Sequence, residues 1–160
     1  MFAQDGIPVL DAAKGKRVSF HYSYSLSRGG EAFAPVTDGK VLVQDNAYTL
    51  EGLGLKVISD GYSRWTLDSD AEELLIETVQ DNDIFTNPAL FLATYRSYMD
   101  KIKVNSQGAD SLDITLSLDT DTKARFILKG ISYSEKEDGK SDFSLDEKSL
   151  PSNFVVTDLR

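Results

Sequence analysis

The stretch that decides the fold runs from Leu53 to Leu67 and reads LGLKVISDGYSRWTL. At its centre, the dipeptide Asp60-Gly61 separates two apolar runs, which is the strongest short-range signal for a β-hairpin. A two-residue turn at this point predicts that Ile58 pairs with Ser63. Both sides of the hairpin carry apolar side chains, and a strand of that kind is usually covered on both faces of its sheet. The rest of the chain must therefore supply the covers.

Alternation assigns the hairpin side chains to two faces. Leu55, Val57 and Tyr62 are expected on one face, and Ile58, Trp65 and Leu67 on the other. Trp65 and its neighbour Arg64 must point to opposite sides, and the pattern leaves open which of the two faces inward.

The clearest alternation in the chain follows a short predicted helix, Ile7 to Lys14, which is expected to end at Gly15. Apolar side chains point one way over ten residues, and polar ones point the other way, as in a half-buried strand. His21 lies on the polar side and is expected to face solvent. The apolar side consists of Val18, Phe20, Tyr22, Tyr24 and Leu26.

Further strands are expected every eight to twelve residues with turns between them, a pattern typical of an antiparallel sheet that curls or closes. The period then changes at Asn87-Pro88, where Asn87 is expected to cap a helix and Pro88 to take its first position. Apolar residues follow at spacings of three and four, so this helix is a candidate cover for the hairpin. They are Phe91, Leu92, Tyr95, Tyr98, Met99 and Ile102.

Composition excludes several classes of function. The 160 residues are expected to form a single domain, 1–160, and the net charge of −9 argues against a nucleic-acid partner. The chain has no cysteine, one histidine and no apolar run of the roughly 20 residues that a transmembrane helix needs. We expect neither an enzyme nor a cofactor.

The N-terminal residues Met1 to Ala3 fit two interpretations. They are either the remnant of an export signal, with a small residue before the cleavage site, or residues that do not belong to the natural protein.

Acidic clusters occur at three predicted turns, around Asp68–Glu73, Asp81–Asp83 and Asp119–Asp121. The first of them lacks the glycine and the spaced glutamate of an EF-hand loop. All three are expected to be solvated turns, and no metal site is predicted.

Aromatic residues concentrate on the faces that should be internal. They fit an ordinary packed core between sheet and helix. They also fit a core left partly unfilled, in which an apolar ligand lies against tyrosines that combine a flat apolar face with a hydroxyl. The pattern does not choose between these alternatives.

The order of motifs resembles the periplasmic lipoprotein carrier family LolA. The strand around Ser19–Tyr24, the Gly-led strand Gly39–Val43 and the hairpin with Trp65 on its return strand are similar to that family's motifs. The helix opened by Asn87-Pro88 and the closing segment Phe143–Val156 are similar as well.

This resemblance implies an open antiparallel half-barrel (LolA-like), mainly β, whose concave face is covered by helices as an α lid. It implies a soluble periplasmic carrier that binds the acyl chains of lipoproteins and shuttles them from the inner to the outer membrane. Its partners would be an inner-membrane release complex and an outer-membrane acceptor. The expected cavity residues are Phe20, Tyr22, Tyr24, Leu26, Trp65, Phe91, Leu92, Tyr95, Met99 and Leu116.

The chain departs from the family at one turn. An Arg-Pro pair that helps to close the lid in LolA is replaced here by Asp45-Asn46, so the closing mechanism does not carry over. The related lipid-anchored receptor family LolB uses an N-terminal cysteine, which this chain lacks, so the soluble carrier is preferred. The alternative is a LolA-like lipid-sensing or protein-interaction module of the cell envelope that transports nothing.

Overall fold

Ten strands form one sheet in the computed structural model, which describes residues 6–79, 84, 86–139 and 141–160. The strands are β1 (Arg17–Arg28), β2 (Ala34–Gln44), β3 (Ala47–Gly52), β4 (Leu55–Ser59), β5 (Ser63–Asp68), β6 (Glu73–Thr78), β7 (Ile102–Gln107), β8 (Leu112–Ser117), β9 (Thr122–Ser134) and β10 (Val155–Asp158).

The spatial order of the strands is β10-β6-β5-β4-β3-β2-β1-β9-β8-β7. All neighbours are antiparallel except β10 and β6, which run parallel with Val155 opposite Glu73. The sheet is therefore mixed, and it remains open, with β10 at one edge and β7 at the other.

The predicted fold class, an open antiparallel half-barrel with its concave face covered by helices, is wrong. One pair of strands is parallel, and the described residues hold too little helix for a helical layer. The helical elements are the single turn α1 (Pro8–Asp11), α2 (Pro88–Thr94) continued by a 3-10 helix (Tyr95–Lys101), and two 3-10 turns at Ser141–Phe143 and Glu147–Ser149.

The start of α2 confirms the prediction for Asn87-Pro88. The Leu90 backbone N–H donates to the Asn87 side chain at 3.0 Å, and Pro88 occupies the first turn. α1 is shorter than predicted, although hydrogen-bonded turns continue to Gly15, whose φ is 75°. Ile102, which we expected on the helical stripe, instead begins β7.

The hairpin has a longer connection than predicted. Ile58 pairs with Trp65 and Ser59 with Arg64, so the register is shifted by two residues. The Asp60 carboxylate accepts hydrogen bonds from the backbone N–H groups of Tyr62 and Ser63, both at 2.9 Å, and this stabilises the wider turn. Gly61 takes a φ of 97° there, a conformation that favours glycine.

A shift of two residues keeps each strand side chain on its predicted face. Val57 packs on the face that carries α1 and α2, whereas Ile58 and Trp65 form a second cluster with Leu74 and Ile76 on the opposite face. Tyr62, in the turn, does not follow the prediction because it is 70% exposed.

The described residues between 135 and 154, all but residue 140, are called segment 135–154; they cover that second face, where they contribute Leu145 and Leu150. The side chain of Arg17, only 8% exposed, anchors the segment through ion pairs at 2.6 Å to Glu137 and to Asp142. Its guanidinium also lies 5.1 Å from the centroid of the buried ring of Phe143. Phe143 lies in a 3-10 turn, and Leu145 follows that turn.

This segment also accounts for the position of β10 at the far edge of the sheet. Because β9 lies far from β10 in the sheet, the connection crosses the sheet face and delivers β10 to the edge beside β6. The predicted export remnant, Met1 to Ala3, and the predicted turn Asp81–Asp83 lie outside the described residues. No helix in the described parts of the chain is long and apolar enough to span a membrane.

We predict that Leu74→Ala lowers the free energy of unfolding by about 2–5 kcal/mol, because this side chain is 1% exposed in the second cluster. The matched variant Leu159→Ala, whose leucine is 64% exposed, should change it by less than about 0.5 kcal/mol. Urea unfolding followed by circular dichroism measures both. Equal, small effects would show that segment 135–154 does not seal a core.

Candidate functional site

The structure separates the predicted cavity residues into several groups. Phe20, Tyr22, Phe91 and Leu116 come together between the sheet and one side of α2. They line an aromatic pocket, which we define by these four residues together with Ile114, Phe126 and their neighbours. Its volume is only about 80 Å³, well below the roughly 300–1,000 Å³ typical of ligand sites. The space between the sheet and this side of α2 is therefore nearly filled by side chains.

Two further predicted residues lie beside this pocket and do not line it. The ring of Tyr24 stacks on Phe126, with centroids 4.8 Å apart and an interplanar angle of 6°. Met99 packs, partly buried, against the same core. Leu26 is half-buried near the far end of β1, beyond the bulge between Tyr24 and Ser25.

Trp65 is separated from the other predicted residues by the sheet itself, in the second cluster. Its neighbour Arg64 points to the helical side, where it donates to Glu77 at 3.0 Å and to Thr86 at 3.3 Å. Burial alone would lower the pKa of Arg64, but hydrogen bonds and charge interactions with Glu77 and Tyr48 together outweigh burial and leave the pKa above its ordinary value. The orientation that the sequence left open is thus settled for Arg64.

Leu92 and Tyr95 line a much larger cavity on the other side of α2. We call it the α1–α2 cavity; its volume is about 780 Å³, within the range of ligand sites. Residues 10–16, the β2–β3 turn and residues 87–96 surround it. Its buried apolar floor consists of Leu10, Ala13, Val18, Val43 and Ala89.

Polar side chains form the rim of the α1–α2 cavity. The cations are Lys14, Lys16 and Arg96, and the carboxylates are Asp11 and Asp45. The result is an apolar base with a charged mouth, an arrangement that suits a ligand with an apolar tail and a polar end.

Hydrogen bonds tie α1 to α2 across one end of this cavity. The hydroxyl of Tyr95 accepts from the buried backbone N–H of Ile7 at 2.8 Å and donates to the carboxylate of Asp11. Arg96 adds an ion pair to Asp11 at 2.8 Å. A third tie holds α1 to the sheet, since the hydroxyl of Tyr133 donates to the carbonyl oxygen of Val9 at 2.5 Å.

Sequence reasoning missed this cavity. Val18 was expected on the inner face and Leu10 in a helix, but no spacing links a short N-terminal helix to the far side of α2. One sequence feature could have indicated that α1 packs against another element, namely the acidic Asp11 within the otherwise apolar α1. Its partners Tyr95 and Arg96 lie 84 and 85 residues away.

The acidic turns bind backbone groups and are consistent with solvated turns. Asp68 accepts from the backbone N–H of Ala71 at 3.0 Å, and Asp119 accepts from those of Asp121 and Thr122. In the described ranges, no group of three or more His, Cys, Asp or Glu residues is arranged to hold a metal ion.

Comparison with known proteins does not place the chain in a family. No family model and no curated protein matches it. A similar solved structure is that of an uncharacterized conserved protein from Thermus thermophilus, with a TM-score of 0.43 and 8% sequence identity. The alignment covers 94% of this chain and 95% of that one. The resemblance to LolA therefore stays a prediction.

We predict that Tyr95→Phe lowers the free energy of unfolding by about 1–3 kcal/mol, because it leaves the buried N–H of Ile7 without its acceptor. Tyr98→Phe, on the same 3-10 helix, is the matched control and should have little effect. Urea unfolding measures both variants. If the two variants behaved alike, Tyr95 would not tie α1 to α2.

The same tie should weaken at high pH. Burial raises the pKa of Tyr95 above 10.0, and the hydrogen bond to Asp11 raises it further because it needs the phenolic proton. A raised pKa in the folded state gives stability that is complete below pH 10.0 and is lost as the pH rises through the folded-state pKa.

The stability difference between the wild-type protein and Tyr95→Phe should therefore stay constant up to about pH 10 and shrink above it, as unfolding experiments from about pH 8 to pH 11 would measure. The protein has seven tyrosines, and comparison of the two proteins isolates the contribution of Tyr95. A difference that stayed constant over the range would contradict the assignment.

Proposed function

We propose that this protein is a non-enzymatic carrier of acylated cargo and that an acyl chain of the cargo occupies the α1–α2 cavity. The observation that carries the proposal is the cavity itself, about 780 Å³ with a buried apolar floor and a polar rim. Its lining includes neither histidine nor cysteine, which fits binding better than nucleophilic or acid–base catalysis.

The energetics favour a cavity of this kind for a carrier. Burial of one CH₂ group is worth roughly 0.8 kcal/mol, so a long acyl chain gains on the order of 10 kcal/mol when it leaves water. A carrier must supply a comparable apolar surface and still release its cargo. A cavity bounded by one short turn and one helical segment, joined by a few polar contacts, can open more readily than a closed core.

The wider role is part of the same proposal and rests on the sequence resemblance alone. It comprises lipoproteins as cargo, transport through the periplasm from the inner to the outer membrane, a release complex and an acceptor. Deletion of the gene tests it. Lipoproteins retained in the inner membrane would support transport, and normal lipoprotein sorting would contradict it.

A second candidate is a protein-interaction module, favoured by the outer edge of the sheet. All four residues of β10 are exposed, and the apolar Val155 and Val156 in the strand are followed by exposed Leu159. Exposed strands at sheet edges are sites where another chain can pair. Two results together would favour this module: normal lipoprotein sorting in the deletion strain, and a partner protein whose binding requires β10.

We predict that Ala93→Trp lowers the affinity for a fluorescent acyl probe by about tenfold or more, because an indole at this exposed position on the cavity wall fills space that the chain needs. Fluorescence titration of the purified protein measures the affinity. Ala71→Trp places the same side chain on an exposed turn outside the cavity and should leave the affinity unchanged.

Melting temperatures of both variants should match that of the wild-type protein, so that lost binding reports on the cavity and not on unfolding. Equal probe affinity in the Ala93→Trp and Ala71→Trp variants would contradict the proposed site.

A further inference from the structure

The charges at the rim of the α1–α2 cavity are almost completely paired. Asp11 pairs with Arg96 at 2.8 Å, and Lys16 pairs with Glu135 at 2.9 Å. Asp45, at the β2–β3 turn, pairs with Lys136 at 2.7 Å. Within the described part of the chain, neither of the rim carboxylates is therefore left to attract a cation.

Lys14 is different. It lines the cavity, is exposed, and has no carboxylate within 4.0 Å among the described residues. The described rim therefore has one positive charge in excess, in a protein whose net charge is −9. A locally positive mouth on an acidic protein attracts anions at that mouth, while the rest of the surface repels them.

The position of Lys14 makes this excess charge relevant to a ligand. A lysine on an open surface is normally just solvated. This one borders a cavity with an apolar floor, and an acyl chain lying on that floor would leave its polar end at the rim. The flexible stem of lysine lets the ammonium group follow a head group over several ångströms.

We infer that the α1–α2 cavity takes acyl ligands that end in an acidic head group, a carboxylate or a phosphate monoester, and that Lys14 selects them. The inference rests on the proposed function, because it requires an acyl chain in this cavity. It names the class of ligand that the site prefers and the residue that sets the preference.

The test compares three ligands with the same chain and different heads: dodecanoate, dodecyl phosphate and dodecanol. Isothermal titration at about pH 8, where the carboxylate is ionised, measures their affinities for the wild-type protein and for Lys14→Glu. Lys148→Glu is the control, since it makes the same change of charge at an exposed position outside the cavity.

The wild-type protein and Lys148→Glu should bind at least one acidic ligand about fivefold more tightly than dodecanol, the scale of a single exposed ion pair. Lys14→Glu should abolish that preference and leave the affinity for dodecanol within about twofold. The difference in affinity between dodecanoate and dodecyl phosphate shows which acidic head group the site prefers.

The inference is overturned if dodecanol binds as tightly as both acids, or if the preference for an acid survives in Lys14→Glu. Those outcomes leave the acyl site itself intact. If none of the three ligands binds, the proposed function fails, and the inference fails with it.

Discussion

One constraint governs this structure: a sheet with apolar side chains on both faces must be covered on both. In the hairpin alone, Val57 belongs to one core and Ile58 with Trp65 to the other. The α1–α2 side covers the first face, and segment 135–154 covers the second, fastened through Arg17. The strand β10 comes directly after this second cover, which crosses the sheet before β10 joins the far edge in parallel with β6.

The two covers differ in completeness. On the second face, Leu74 and Ile76 are almost fully buried. On the first face, one helical segment closes the aromatic pocket on one of its sides and leaves a cavity of about 780 Å³ on the other. The polar tie centred on Tyr95 keeps α1 at the border of that cavity. The proposed binding function therefore arises where the helical cover is too small for the sheet.

Local patterns in the sequence predicted the local structure well. Alternation located β1, and the polar residue before Pro88 located the start of α2, because both signals depend on neighbours in the chain. The direction of β10, the position of Trp65 behind the sheet and the pairing of Asp11 with Tyr95 depend on contacts between distant residues. Periodicity carries no information about those contacts, so the fold class and the larger cavity could not be predicted from it.

The central claim is that an acyl chain lies between α1 and α2. The most direct measurement is a set of nuclear Overhauser effects between ¹³C-labelled dodecanoate and the methyl groups of the intact protein. We expect contacts from the chain to Val43, Ala89 and Leu92, which line the α1–α2 cavity. Contacts confined to the aromatic pocket, to the second cluster or to no methyl group at all would contradict the account.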